Sequence, residues 1–322
     1  MTQTLSVAIV GAGALGSAIG GVLAENGARV TLISGNFAHR DAINRDGLGL
    51  TADGMDFRFV TVTAHADCSS VADTVDLAII LIHSAATQDA AHDVRSILRP
   101  DSLVFSLQNG LGQEDVLSRI LGQEQVLGGK TYAGGIMLAP GKVQATIAGK
   151  RTLIGELDGR RSARSTRIAN ALSAFGVATE VAEDIRTAMW DKLLINVATG
   201  ALSTVTRMSY GELYAQPEIA RIARAAVAEA MAVAKAEGVS LTIAEPDQAW
   251  RMASAGLPDN FRTSMLQTIL KGRKSEIDFI NGAVVARGLK LGIPTPVNAT
   301  LVACIKGIEA STAFASPIPS KI

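Results

Sequence analysis

Gly11-Ala12-Gly13-Ala14-Leu15-Gly16 sets three glycines at GxGxxG spacing between an apolar run, Ser6–Val10, and a helical stretch that reaches about residue 26. In that setting each glycine has a chemical use. The first permits a tight turn, the second lets backbone approach a pyrophosphate, and the third lets helix and strand pack closely. The helix start adds unpaired N–H groups and a partial positive charge for phosphates. The hexamer alone is weak in a chain with 31 glycines, and a glycine-rich turn without a ligand is the competing reading. The strand–turn–helix context favours a dinucleotide held by the backbone of residues 11–16. An NAD enzyme usually carries Asp or Glu after the second strand, to bind the ribose 2′-hydroxyl. Here that place reads Ser34-Gly35-Asn36, with no acid before Asp41. Without that repulsion NADP is favoured, with Ser34, Asn36 and Arg40 available to a 2′-phosphate.

The elements that would position such a site fall into two groups. Ser6–Val10, Arg29–Ile33, residues 77–82 and residues 103–107 read as strands separated by helices or loops. Runs buried on both faces and separated by helices predict a doubly wound parallel sheet of Rossmann type. Residues 141–146 and 151–154 are expected to extend it. After about Val181 no strand pattern is found. Residues 184–199, 217–237, 262–273 and 275–291 carry apolar side chains at helical spacing, and a last helix covers about 297–310. The expectation is an α/β chain: a nucleotide-binding domain over residues 1–183, then an all-helical substrate-binding and catalytic domain over 184–322.

Three further segments narrow this. They are Ser106-Leu-Gln-Asn109-Gly-Leu-Gly112, Met189-Trp-Asp-Lys192-Leu-Leu-Ile-Asn196, and Thr263-Ser264-Met-Leu-Gln continuing through Gly272-Arg-Lys-Ser275-Glu276-Ile-Asp. With the glycine turn, and in this order, they resemble the ketopantoate reductase family over nearly the whole chain. The resemblance implies reduction of 2-dehydropantoate to (R)-pantoate by NADPH, a step toward pantothenate. It implies Lys192 as catalytic acid, Asn196 and Ser264 as substrate-binding residues, and Asn109 between substrate and nicotinamide. Glu276 matches a carboxylate near cofactor and substrate hydroxyl, and Ala133 matches a cofactor contact.

Residue chemistry supports these roles separately. Hydride delivered to a ketone leaves negative charge on oxygen, which needs a nearby proton donor. The histidines, His39, His65, His83 and His92, all lie in the first half, so a lysine is a reasonable donor. A lone helical lysine is ordinarily a solvated charge, but Lys192 and Asn196, four apart, share one helix face and sit in the matching motif. Ser264 and Glu276 are separated by about 18 Å if one helix carries both, too far for one small substrate. If both belong to the site the helix must break, at Gly272-Arg273-Lys274, and Ser275-Glu276 would open a new one. An ionised Glu276 would help keep Lys192 protonated. The alternative is a capping glutamate with no catalytic part.

Some matching positions differ. His83 stands where the family commonly has a lysine near the cofactor, a weaker and pH-dependent cation. Gly35 stands near a frequent arginine, and Gly200 and Tyr210 stand at asparagine positions. Losing hydrogen-bond donors weakens discrimination for a hydroxyl, so another bulky 2-oxo acid, reduced with NADP or NAD, is an alternative. A non-enzymatic NAD(P)-sensing regulator is a third.

The 322 residues are 48% hydrophobic and 19% charged, with 30 basic and 30 acidic side chains, as in an ordinary globular enzyme. With no basic excess and only 4% aromatics, neither a nucleic acid nor an anionic membrane is expected as partner. Residues 5–24 lack charge, but glycines interrupt them and no basic region precedes them, so no spanning or targeting segment is read. The expected setting is cytoplasmic. Cys68 and Cys304 are expected to be free, buried thiols, no metal is expected, and the apolar helical half is compatible with a homodimer.

Overall fold

The computed structural model describes residues 4–52 and 55–311. It divides into two compact units, Met1–Gln108 with Gln113–Arg186, and Asn109–Gly112 with Thr187–Ile322.

The first unit runs β1 (Ser6–Val10), α1 (Ala14–Glu25), β2 (Arg29–Ile33), α2 (Phe37–Asp46), β3 (Leu48–Thr51), β4 (Arg58–Val60), β5 (Thr63–His65) and β6 (Val75–Ile80). It continues with α3 (Thr87–Val94), β7 (Leu98–Ser106), α4 (Gln113–Leu121), β8 (Val126–Thr131), β9 (Gly134–Ala139), β10 (Lys142–Thr146), β11 (Thr152–Gly155), α5 (Ala163–Ala174) and β12 (Thr179–Val181). The main sheet has the order β12-β11-β8-β7-β6-β1-β2-β5. It is parallel except where β11 meets β8. Its apolar runs lie between two helical layers because alternate residues feed two cores. Val7, Ile9, Leu77, Ile79 and Phe105 pack into one, and Ala8, Val10, Ala78, Ile80 and Val104 into the other.

A second sheet, β4-β3-β10-β9, lies against the other side of α1. Residues 151–154 extend the main sheet through β11, but residues 141–146 do not. β10 pairs with β3 and β9, after a tight turn at Gly141 (φ +73°). Helix α1 fits between the sheets because it is bare. A Cβ on Gly20 would stand 2.7 Å from Leu32, and one on Gly21 2.7 Å from Leu50.

The second unit holds helices joined by loops, with no strand among its described residues: α6 (Ile185–Thr206), α7 (Tyr210–Tyr214), α8 (Pro217–Ala236), α9 (Pro246–Ser254), α10 (Ser264–Leu270), α11 (Asn281–Leu291) and α12 (Pro296–Ala310). Proline opens α8, α9 and α12, where its missing N–H costs nothing. The α8 stripe Ala220, Ala223, Val227, Ala230 and Val233 is buried against Leu193, Leu194, Val197, Trp250 and Ile305. Glu229 of α8 accepts the amides of Val297 and Asn298 at the start of α12, and Asn298 accepts a bond from Asn281 of α11.

Two further local expectations need correction. Residues 275–291 are not one helix. A single 3-10 turn, Ile277–Phe279, comes first, and Ile280 (ψ −96°) leaves helical geometry before α11 begins. Cys68 is buried, but Cys304 is exposed on α12. Among the described residues no helix is long and apolar enough to cross a membrane, and no three His, Cys, Asp or Glu side chains gather as a metal site.

Candidate functional site

In the first unit the candidate cofactor-binding residues gather at the glycine turn. Gly11 has φ +104°, and the amides of Gly11 and Ala12 bond the Ile33 carbonyl at 3.0 and 2.8 Å, tying the turn to the end of β2. A Cβ at Gly11 would lie 2.5 Å from the Ile82 nitrogen, and one at Gly16 2.4 Å from the Gly11 carbonyl oxygen. Gly13 is different. Nothing lies within 4 Å of a Cβ there, and it caps α1 without a side-chain bond. Open space over Gly13, facing the first amides of Ala14 and Leu15, fits a pyrophosphate.

Neighbouring loops frame this turn. Ile82, which abuts Gly11, leads to exposed His83, whose Nδ1 accepts the Ala85 amide at 3.4 Å. Ala133 follows β8, half-buried, with its amide on Thr131 Oγ1 at 3.0 Å. Two residues on, a Cβ at Gly135 would press the Ala14 carbonyl oxygen at 2.5 Å. After β2, Asn36 caps α2 by accepting the His39 amide. The Arg40 guanidinium donates to the Ser34 carbonyl at 2.6 Å and lies 5.7 Å from the Phe37 ring centre. The Ser34–Arg40 stretch holds a cation and no carboxylate.

The second unit collects Asn109, Lys192, Asn196, Ser264 and Glu276. Lys192 and Asn196 stand one turn apart on α6, both partly exposed, between buried Leu193, Leu194 and Val197. Protein surrounds the Lys192 ammonium although part of the residue's surface stays accessible. Burial pulls its pKa down to about 8, and the Glu276 carboxylate acts the other way. Next to it, Asp191 turns elsewhere, accepting Thr242 N at 3.2 Å and Thr242 Oγ1 at 2.5 Å, which moors α6 to the strand-free segment before α9. Sequence reading missed this tie, because the partners are 51 residues apart.

Ser264 is exposed at the first position of α10, whose cap Thr263 accepts the Leu266 amide. The next residue, Met265, comes within 3.6 Å of a Cβ built on Gly200, one turn beyond Asn196. Helix α10 ends at Leu270, and Gly272 (φ +67°) turns the chain just beyond it, so the helix does break between Ser264 and Glu276. Beyond the break, Ser275 donates through its amide and hydroxyl to Glu309 at 2.8 and 2.7 Å. Glu276 heads the 3-10 turn, and its carbonyl accepts the amides of Phe279 and Ile280. The Asn109 loop rests on this same turn. Leu111 N donates to the Phe279 carbonyl at 2.9 Å, and a Cβ at Gly110 would stand 2.2 Å from that oxygen. Tyr210 is buried beside the α6 face, its hydroxyl 3.2 Å from Thr199 Oγ1, and burial raises its pKa.

An ammonium, a carboxylate, an amide and a hydroxyl on four tied segments can bind a small oxyacid and hand it a proton.

The ketopantoate reductase (PanE/ApbA) family model matches residues 7–159, and the ketopantoate reductase PanE/ApbA C-terminal model matches 184–309. The 2-dehydropantoate 2-reductase of Halobacterium salinarum is 34% identical, covering 94% of this chain and 98% of its own length. The crystal structure of a PanE/ApbA family ketopantoate reductase from Ralstonia eutropha JMP134 aligns with TM-score 0.86 at 36% identity, covering 95% of this chain and 98% of that one. D-mandelate dehydrogenase, solved with NADH and anilino(oxo)acetate, aligns with TM-score 0.86 at 26% identity over 95% of this chain and 98% of its own. Two matching models that together span most of the chain, and relatives alike over nearly its full length, place it: the chain belongs to the ketopantoate reductase family.

Proposed function

We propose that the chain reduces 2-dehydropantoate to (R)-pantoate with NADPH, using Lys192 as proton donor. The observation that carries this reading is the Lys192 ammonium, lowered to about 8 by burial and held up by Glu276, one helical turn from the Asn196 amide. When bound, the reduced nicotinamide supplies hydride to the keto carbon. The residues of this chain do the rest. The backbone amides that open α1, at Ala14, Leu15 and Gly16, hold the pyrophosphate, with His83 and Ala133 lining the dinucleotide and Asn109 ordering the nicotinamide edge. Asn196 and Ser264 hold the carboxylate and nearby oxygens. Lys192 stabilises the growing alkoxide and then transfers a proton from Nζ to it, leaving a neutral amine that solvent reprotonates. Glu276 keeps Lys192 charged between turnovers. The ammonium carries the positive charge the alkoxide needs, so the scheme invokes no metal. NADPH is preferred over NADH because Arg40 and the hydroxyl and amide of Ser34 and Asn36 follow β2 where a carboxylate would repel a 2′-phosphate.

A second reading has support in two positions. Gly200 and Tyr210 stand where asparagines are expected, and losing those two amides weakens recognition of a substrate hydroxyl, which suits a different, bulkier 2-oxo acid. D-mandelate dehydrogenase is among the structural relatives. Initial rates with 2-dehydropantoate and with the 2-oxo acid corresponding to mandelate, each with NADPH and NADH, separate the readings by kcat/KM. Lys192→Ala is expected to lose about 10²- to 10⁴-fold in turnover while still binding NADPH. Unchanged single-turnover hydride transfer in that variant would remove the proposed acid. A chain that binds NADPH but turns over no 2-oxo acid would point instead to a sensor.

A further inference from the structure

The imidazole of His39 is wholly buried on α2 and bridges two elements that flank the glycine turn. Its Nδ1 accepts the Gly141 amide, in the turn between β9 and β10, at 2.9 Å. An acceptor at Nδ1 fixes the neutral tautomer with the proton on Nε2. That Nε2–H faces Ser17 Oγ at 2.9 Å, and the Ser17 hydroxyl is left to donate to the Ala12 carbonyl at 3.2 Å. The chain of bonds therefore runs from the second sheet, through one imidazole and one hydroxyl, to the middle of the dinucleotide turn. Its end matters chemically. A carbonyl drawn into the interior at Ala12 cannot point its partial negative charge toward the open space over Gly13, where phosphate oxygens would bind.

We propose that His39 is a positioning residue for the dinucleotide: as a neutral imidazole it aims the Ser17 hydroxyl at the Ala12 carbonyl and so keeps the anion-binding turn in its binding form. This rests on the dinucleotide-binding reading given above. Protonation would break the arrangement, because a second N–H at Nδ1 would meet the Gly141 N–H head on. Burial lowers the pKa of His39, which holds it neutral near pH 7. The charged groups on the packed elements are engaged elsewhere. Arg40 donates to the Ser34 carbonyl and Asp41 pairs with Arg45, which also holds Asp46. Lys142 lies over the Phe57 and Phe59 rings, and Glu25, at the end of α1, pairs with Arg58.

The test is the dissociation constant of NADPH across pH 5–8.5, with kcat at saturating cofactor and the melting temperature, in wild type and three variants. His39→Gln places an amide donor near the Nε2 position and does not titrate. His39→Asn places an acceptor near Nδ1 but no donor toward Ser17. Ser17→Ala removes the last link and leaves the imidazole in place. His39→Gln is expected to bind within about threefold of wild type at pH 7.5 and to lack the part of the acid-side weakening that wild type shows below pH 6.5. His39→Asn and Ser17→Ala are expected to weaken NADPH about tenfold with kcat unchanged, His39→Asn melting close to His39→Gln. Wild-type affinity in both His39→Asn and Ser17→Ala, or an acid limb identical in wild type and His39→Gln, would overturn the proposal. A wild-type chain that binds neither NADPH nor NADH would defeat the functional reading, and this inference with it.

Discussion

Lys192 carries an electrostatic conflict that sets a pH dependence. Burial disfavours its charged form and Glu276 favours it, with a net pKa near 8 in place of 10.5. The acid must be protonated to act, so kcat/KM for the 2-oxo acid at saturating cofactor is expected to be flat below about pH 8 and to fall toward tenfold per unit above it. Glu276→Gln removes the raising influence, so the alkaline limb should move to lower pH. A pH–rate profile in which the variant's limb stays in place, or moves upward, would separate Glu276 from Lys192. The i,i+4 spacing made the partnership of Lys192 with Asn196 legible in the sequence, because helix geometry alone puts them on one face. The depressed pKa was not legible. It depends on how much protein closes around a single ammonium, which no local pattern encodes. His39 was invisible for a related reason, the Gly141 amide that donates to its Nδ1 lying 102 residues away.

At the scale of elements, the corner between α10 and α11 is where Glu276 is held and where the Asn109 loop rests. About 18 Å of unbroken helix would separate Ser264 from Glu276, too far for one small substrate, and Gly272 supplies the left-handed turn that a break requires. Beyond the break, helical periodicity over residues 275–291 hides a second interruption. Ile277–Phe279 forms a separate turn because its Phe279 carbonyl is committed to the Asn109 loop and Ser275 is committed to Glu309, 34 residues away. Gly110 is the tightest joint of this assembly. Its backbone is left-handed (φ +94°) and leaves no room for a methyl group. Gly110→Ala is expected to cost on the order of 2 kcal/mol or more and to raise KM, since the Asn109 loop must lift off the turn. Chemical denaturation and steady-state kinetics check this. Wild-type stability with wild-type KM would mean that the loop seats differently.

At the scale of the molecule, the doubly wound sheet and the helical second half were both legible, because long apolar runs and sustained 3.6-residue periodicity survive without context. The second sheet was not. Its strands β3 and β4 span four and three residues, too short to carry a period, and β9 opens on two glycines. Only pairing between distant segments makes them a sheet. That hidden sheet gives α1 a double duty, since the helix that opens at the glycine turn is also the spacer between two layers, with glycines where side chains would force them apart. Rigidity gained at one end of such a rod is shared along it. Saturation with a dinucleotide should therefore slow amide deuterium uptake in β9 and β10 as well as in the turn itself, by about tenfold or more where the opening is local. Uptake there that ignores the nucleotide would mean the two layers breathe independently of the rod between them.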